Sequence, residues 1–327
     1  IELGKQLVNL AGEQPSQPLA LAHRVLGSGY LFQGNFPAAR RHLETALTVN
    51  QASQQAELQW WIHGDFEAVC RAMLGFVLTV HGYPEQGWQQ ILQALNRGRQ
   101  LKRLSSLGSA LIFGFEVASV RKDLAALQML TRELLQLGQT DAEELHFFRA
   151  YAYSADGYLQ AIQAEPGSKQ AQAGINLVQK GMQLWQATGT LAGWGQWVVR
   201  LADACLQSDH FERGLETIMP ALENPDNQGF GAGLTRIHWL QGELLLKLDP
   251  ANRDEAEANF MKALEIARQQ EAHSLELAAA ISLAKLWQTE RPAQARQLLS
   301  ETCAWFTEGF ETRDWLEAQE LLNAIPA

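Results

Sequence analysis

Arginine, acidic and aromatic side chains are the residues of this sequence whose types and spacing favour binding chemistry. Arg24, Arg200 and Arg236 lie within apolar helical patterns, together with Asp203 and Trp239. A guanidinium binds carboxylate or phosphate groups through paired hydrogen bonds, and an aromatic face stacks on apolar or planar groups. These residues therefore predict recognition of a charged ligand or partner.

Motifs of catalysis and of metal binding do not form a consistent set. The sequence has no Walker A motif, and its histidines never flank a glutamate with the spacing of a zinc-peptidase helix. Ser282 and Lys285 match a Ser-x-x-Lys motif whose companion motifs are missing. The glycine cluster at 229–233 follows no strand, which favours an inter-repeat turn. We expect no catalytic, cofactor-binding or metal-binding residues. An enzyme is a third alternative, because catalytic side chains need to be adjacent only in the folded protein and not in the sequence.

Composition excludes several other classes of protein. The 327 residues carry a net charge of −10, which disfavours binding to nucleic acid or to an anionic membrane. The three cysteines are far apart, so neither a disulfide framework nor a cysteine-rich zinc site is expected. No apolar run reaches the roughly 18 residues that a membrane span requires. Because the chain has no signal pattern and no starting Met, we expect it to be a fragment of a cytoplasmic protein.

The elements that must position these residues are helices arranged in a repeat. Apolar residues recur at i, i+3, i+4 and i+7 with almost no strand signals, which predicts an all-α chain. Small and large residues also recur at the offsets 0, 3, 7, 12, 16 and 19 of a tetratricopeptide hairpin. The best copies are Gly27-Tyr30-Gly34-Ala39-Leu43-Ala46, Gly75-Leu78-Gly82-Gly87-Ile91-Ala94, Ala202-Cys205-Asp209-Gly214-Ile218-Ala221 and, after a two-residue insertion, Gly242-Leu245-Ala256-Phe260-Ala263.

Successive copies are farther apart than the roughly 34 residues of a standard tetratricopeptide repeat. The gap from Gly114 to Ala202 leaves room for one further hairpin, with helices around 142–164 and 168–188. The sequence therefore predicts a right-handed superhelix, an α-solenoid of about seven hairpins. Residues 1–14 supply a partial first repeat and 312–327 a closing helix, so we expect a single repeat domain over 1–327 rather than two domains.

In such an array the first helix of each hairpin lines the concave surface. Projecting the geometry of the first repeat onto the others predicts the residues of a binding groove. They are Arg24, Ser28, Phe76, Phe115, Arg149, Arg200, Asp203, Arg236, Trp239 and Glu243.

The chain also resembles a known class of protein. The motifs that carry the resemblance are Ser274-Leu275-Glu276-Leu277, Ala284-Lys285-Leu286-Trp287 and Trp305-Phe306-Thr307-Glu308-Gly309-Phe310, with Ala22-His23-Arg24-Val25-Leu26-Gly27, Gly34-Asn35-Phe36-Pro37-Ala38-Ala39-Arg40 and Gly82-Tyr83-Pro84-Glu85-Gln86. They are similar to the C-terminal end of bacterial multidomain signalling proteins, in which a class III nucleotide-cyclase or DNA-binding domain precedes a STAND-type ATPase and a tetratricopeptide array. One stretch departs from that pattern, since His63-Gly64-Asp65-Phe66-Glu67 replaces a Tyr-Gly-x-Asp-Pro-like sequence.

The resemblance implies that the cyclase or ATPase chemistry lies upstream of this chain. We therefore expect a non-catalytic sensor domain that binds a protein, a peptide or a small-molecule effector in its groove. It would act on the upstream ATPase domain of the same chain, with no direct contact to nucleic acid or membrane. The alternative is a stand-alone scaffold for protein–protein interaction.

Overall fold

The computed structural model describes residues 1–12, 14–53, 65–139, 146–190, 192–223 and 230–326, and in these residues all regular structure is helical. None of the described helices has the length and apolar character needed to cross a membrane. Short 3-10 helices lie at Gly231–Gly233 and Pro250–Asn252. The α-helices are α1 (Glu2–Ala11), α2 (Gln17–Phe32), α3 (Phe36–Ala52), α4 (Phe66–Val80), α5 (Pro84–Leu101), α6 (Leu104–Val120), α7 (Leu124–Gly138), α8 (His146–Gln163), α9 (Lys169–Gln186), α10 (Trp194–Gln207), α11 (Phe211–Glu223), α12 (Leu234–Leu248), α13 (Arg253–Gln269), α14 (His273–Trp287), α15 (Pro292–Cys303) and α16 (Arg313–Ala324).

Several helices begin at a side chain that caps them. The first amides of a helix have no partner within it, so a short polar side chain just before the helix stabilises its start. Asn35 accepts from the Ala38 amide at 3.1 Å, and Asp123 accepts from the Ala126 amide at 3.0 Å. The turn residues of the sequence thus set where the second helix of a hairpin begins.

Within the described residues, α2 to α15 pair in order into seven antiparallel hairpins. The predicted fourth hairpin is α8 and α9, at His146–Gln163 and Lys169–Gln186. Helix α1 packs on α2, and α16 packs on α14 and α15 as the closing helix.

The small repeat positions are places where two helices nearly touch. A Cβ atom on Gly75 would lie 2.8 Å from the Gly87 carbonyl oxygen, across the second hairpin. In the sixth hairpin, a Cβ atom on Gly242 would overlap the Phe260 ring. Larger side chains would push the helix axes apart, which explains why small residues recur there.

Large aromatic side chains fill the space between successive hairpins. Phe36 and Phe76 meet with ring centroids 6.4 Å apart, and Phe115 meets Tyr158 at 6.0 Å. Trp197 is fully buried. These contacts stack each hairpin on the next, as expected for a solenoid.

The early hairpins also contact the last ones, which a solenoid held only by neighbour contacts would not do. The turns within hairpins 1, 2 and 3 each lie against a segment about 190 to 235 residues later in the chain. We call this set of contacts the seam: Gly34 with Gly231 and Gln270, Gly82 with His273 and Trp305, and Lys122 with Asp314. Nothing in the repeat pattern predicted it.

Candidate functional site

The first helices of the later hairpins surround a cavity of about 540 Å³. Its walls come from the turn between α6 and α7, from α8, α10, α12 and α14, and from the closing helix α16. The side chains with polar groups in its wall include Lys122, Asp203, Arg236, Trp239, Glu243 and Lys285.

Trp239 is held in the cavity wall by a short chain of hydrogen bonds. Its indole Nε1 donates to Ser282 Oγ at 2.9 Å, and Ser282 Oγ donates to Glu243 Oε1 at 2.6 Å. The ammonium of Lys122 lies 5.7 Å from the Trp239 ring centroid, within cation–π range. The ring is therefore oriented by both its edge and its face, while part of it stays exposed to the cavity.

A second polar group surrounds Asp203. Tyr158 Oη donates to Asp203 Oδ2 at 2.8 Å, and an Arg236 guanidinium nitrogen lies 3.5 Å from the same oxygen. Burial, and then the Asp203 charge, raise the pKa of Tyr158 well above its usual value, so the phenol stays a neutral donor. Arg236 and Asp203 thus form a loose ion pair at the cavity surface.

The charges of the cavity wall are balanced. Among the described residues that line it, five are cationic and five are anionic: Lys122, Arg236, Lys247, Lys285 and Arg313 against Asp203, Asp209, Glu243, Asp314 and Glu317. Lys122 pairs with Asp314 at 2.5 Å, and Lys285 pairs with Glu317. Burial lowers the pKa of Lys122, but the carboxylates of Asp314 and Glu317 outweigh it, so the net effect is to raise that pKa and keep the ammonium charged. The cavity wall thus presents charges of both signs.

Of the ten residues predicted for the groove, four line this cavity: Asp203, Arg236, Trp239 and Glu243. All four are on α10 and α12. These two helices belong to repeat copies that match the tetratricopeptide pattern well, so the projected positions of their side chains are the ones that reach the cavity.

Arg200 and Phe115 lie behind the wall instead of in it. Arg200 is 4% exposed, and its guanidinium pairs with Glu116 and donates to Ser154 Oγ at 2.9 Å. The same guanidinium lies 4.8 Å from the centroid of the Phe115 ring. A buried charge must be paired to be tolerated, and this one is satisfied by the protein itself.

The other four predicted residues lie away from the cavity. Phe76 is buried in the core. Arg24 is half-buried with its guanidinium 5.9 Å from the Phe66 ring centroid, and burial lowers the pKa of that guanidinium. Ser28 is half-buried on α2, and Arg149 Nε donates to the Gly138 carbonyl at 3.3 Å. Arg149 thus faces α7. The register predicted for the fourth hairpin would instead turn this side chain toward the groove.

Sequence reasoning missed the part of the wall that comes from the end of the chain. Ser282 and Lys285 on α14, and Asp314 and Glu317 on α16, face the cavity. Lys122 lies in a turn, with a positive φ of 55°. The spacing of Asp314 and Glu317 places them on one helix face, but only the three-dimensional closure shows what that face meets.

Other candidate chemistry has a structural explanation. The Ser282 hydroxyl donates a hydrogen bond to Glu243, and the Lys285 ammonium forms an ion pair with Glu317. Ser282 and Lys285 therefore do not form a Ser–Lys pair. Burial raises the pKa of the Cys70 thiol to about 12, which makes it unreactive. The described part of the chain has no group of three or more side chains suited to hold a metal ion.

The stretch that departs from the signalling proteins is partly outside the described residues, since 63 and 64 are not among them. Asp65 caps α4, where it accepts from the Ala68 amide at 2.9 Å. It also forms an ion pair with Arg97 on α5. This aspartate is therefore part of the second hairpin's structure.

Comparison with known proteins shows the fold. No protein-family model and no curated protein matches the sequence. Among solved structures, the chain is similar to Rap protein, in a crystal structure of its complex with competence and sporulation factor. The TM-score is 0.57 at 11% identity, over 93% of this chain and 87% of that chain. The predicted all-helical α-solenoid of tetratricopeptide-like hairpins is thereby confirmed.

Proposed function

We propose that this chain is a non-catalytic regulatory module whose inner cavity binds a short peptide or another small zwitterionic effector. The observation that carries the proposal is the cavity of about 540 Å³ with a charge-balanced wall around Trp239. Its volume lies within the range of about 300 to 1,000 Å³ that is usual for small-ligand sites.

The two polar groups of the wall offer complementary contacts to such a ligand. Arg236 is 3.5 Å from Asp203, a long separation for an ion pair, so its guanidinium is placed to bind a ligand carboxylate as well. Glu243 is fixed through one oxygen by Ser282, and its carboxylate is placed to accept from a ligand ammonium. Trp239, between them on the same helix, provides an apolar face for the ligand's body.

The similar fold of Rap protein, solved in complex with competence and sporulation factor, supports a binding role for a solenoid of this kind. The resemblance to multidomain signalling proteins supports a parent protein with a STAND-type ATPase and a cyclase or DNA-binding domain. In that setting an effector would regulate the upstream domains by binding one conformation of this arm more tightly than the other. The coding sequence upstream of Ile1 tests this context: a Walker A motif there is expected, and a start codon just before Ile1 would favour a stand-alone scaffold.

Thermal unfolding with a peptide pool tests the binding role. A ligand that binds only the folded state stabilises it by about 2.7 kcal/mol when present at 100 times its Kd. We expect a pool of unblocked tetrapeptides to raise the Tm, and the same pool with acetylated and amidated ends to have no effect. An unchanged Tm with both pools at millimolar concentration would contradict the proposal.

Two variants place the effect in the cavity. Arg236→Gln and Glu243→Gln should each abolish the Tm increase caused by the unblocked pool. Arg132→Gln and Glu311→Gln are matched controls, because both side chains are exposed and outside the cavity wall. If the controls lose the effect as fully as the cavity variants do, binding takes place elsewhere.

A further inference from the structure

The seam is fastened by a carboxylate that caps a helix from the other end of the chain. Glu308 Oε1 accepts from the backbone amides of Glu85 at 2.9 Å and Gln86 at 3.0 Å, and Oε2 accepts from the Gln86 side chain at 2.9 Å. These amides begin α5, where Tyr83 provides no side-chain cap. In return, the Gly309 amide donates to Glu85 Oε1 at 3.1 Å. The partners are more than 220 residues apart, so this exchange has no role in forming a single hairpin.

An aromatic stack lies beside this exchange. The Trp305 ring stacks on His273 with centroids 3.8 Å apart and planes at 20°, and its edge meets Tyr83 at 5.1 Å. It also covers Gly82, where any side chain would overlap the indole. Close by, Ser274 Oγ donates to the Thr79 carbonyl at 2.6 Å. Glycine at position 82 therefore leaves room for Trp305, which follows α15.

Four of the six motifs that carry the resemblance in the sequence have residues at this seam. Trp305, Glu308 and Gly309 belong to the segment at 305–310, and they contact the segment at 82–86. Arg40, in the segment at 34–40, lies with its guanidinium 5.1 Å from the centroid of the Tyr83 ring. Ser274, in the segment at 274–277, donates to the Thr79 carbonyl at the end of α4.

The seam joins the two walls of the cavity. Lys122 belongs to the early hairpins, whereas Lys285, Asp314 and Glu317 belong to the last hairpin and the closing helix. Elsewhere the solenoid is held by contacts between neighbouring hairpins, which tolerate changes of pitch. The hydrogen bonds of Glu308 with α5 are exposed to solvent, whereas Ala232, Ala272 and Leu275 are buried in the same apolar core as the early hairpins.

We infer that Glu308 and Trp305 are positioning residues that give the cavity its binding shape by holding the seam closed. Their effect on the binding shape rests on the proposed function. Closure of the seam is a property of the chain without any ligand. It is therefore measured on the free protein.

The experiment is double electron–electron resonance between spin labels at Gln89→Cys on α5 and Glu320→Cys on α16, both exposed positions. The native thiols are buried, so they do not compete for the label. The parent pair should give one narrow distance distribution. Glu308→Ala should add a longer population and raise the open-to-closed ratio about fivefold, as for loss of a helix cap.

Further variants separate positioning from general damage. Trp305→Ala and Gly231→Ala should both add the longer population, since a Cβ atom on Gly231 would overlap the Gln33 carbonyl across the seam. Glu308→Gln should restore part of the closed population, because its amide oxygen still accepts from the α5 amides. The control Glu311→Gln, in the same loop, should match the parent.

Ionic strength tests whether the charge of Glu308 contributes to closing the seam. Raising NaCl from about 0.05 M to about 1 M should open the parent seam, with a smaller effect in Glu308→Gln, because salt screens the charged contact. Identical narrow distributions in the parent, Glu308→Ala and Gly231→Ala would overturn the inference. A cavity that binds no peptide would refute the proposed function without changing these distances, so the two failures are distinguishable.

Discussion

Replacing Glu116 by glutamine is expected to destabilise the protein strongly, because it leaves the Arg200 cation buried without a counter-charge. Arg200 is 4% exposed and Glu116 is 6% exposed. At a charge separation of about 4 Å and an effective dielectric constant of about 20, the lost attraction is about 4 kcal/mol. This agrees with the roughly 3 to 5 kcal/mol seen when one partner of a buried pair is removed.

Removing both charges should cost far less. Arg200→Met with Glu116→Leu should be within about 1 kcal/mol of the native protein, since the guanidinium already lies among the Phe115, Tyr151 and Trp197 rings. Urea unfolding followed by circular dichroism measures the native protein, Glu116→Gln and the double variant. A loss below about 1 kcal/mol in Glu116→Gln, or a double variant as unstable as Glu116→Gln, would refute the predicted role of Glu116 as the counter-charge of Arg200.

Two further predictions concern packing and pH. Gly75→Ala should lower the free energy of unfolding by about 1 to 3 kcal/mol, because the added methyl group would lie 2.8 Å from the Gly87 carbonyl oxygen. Gly138→Ala should lower it clearly less, because the atom nearest to its added methyl group would be 3.2 Å away. Equal losses of the two variants in urea unfolding would contradict this prediction. Burial lowers the pKa of both His42 and His81 from 6.5 to about 4, so the unfolded chain takes up protons first and stability should fall as the pH drops from about 6.5 to about 4. A urea midpoint that stays constant over this range would contradict the assigned pKa shifts.

The repeat could be predicted from sequence because its determinants are local. Gly75 and Gly87 are 12 residues apart, and the close approach between them is set within one hairpin. The fourth hairpin followed from the length of the gap and from the turn at Ser168, which caps α9 by accepting from the Ala171 amide. Such features depend on spacing and on turn chemistry, both of which a single sequence displays.

The depth of a side chain and the closure of the solenoid could not be predicted in the same way. The pattern placed Arg200 and Trp239 alike on the inner face. Yet Arg200 is enclosed by the Trp197 ring of its own helix and by the Phe115 and Tyr151 rings of other hairpins. The meeting of Glu308 with the start of α5 depends on the accumulated rotation of all the intervening hairpins. A small error in the rotation predicted for each repeat accumulates over five hairpins. The sequence therefore does not show which residues of the two ends meet.

The proposed binding of a zwitterionic peptide beside Trp239 can be followed through the indole N–H resonances of the protein. In a ¹⁵N-labelled sample, Trp239→Phe assigns the Trp239 signal, and fully buried Trp197 serves as an internal reference. We expect the unblocked tetrapeptide pool to shift the Trp239 signal saturably, since its N–H donates to Ser282 in the cavity wall, and to leave the Trp197 signal unchanged. A Trp239 signal that stays fixed while the pool raises the Tm would contradict binding beside Trp239.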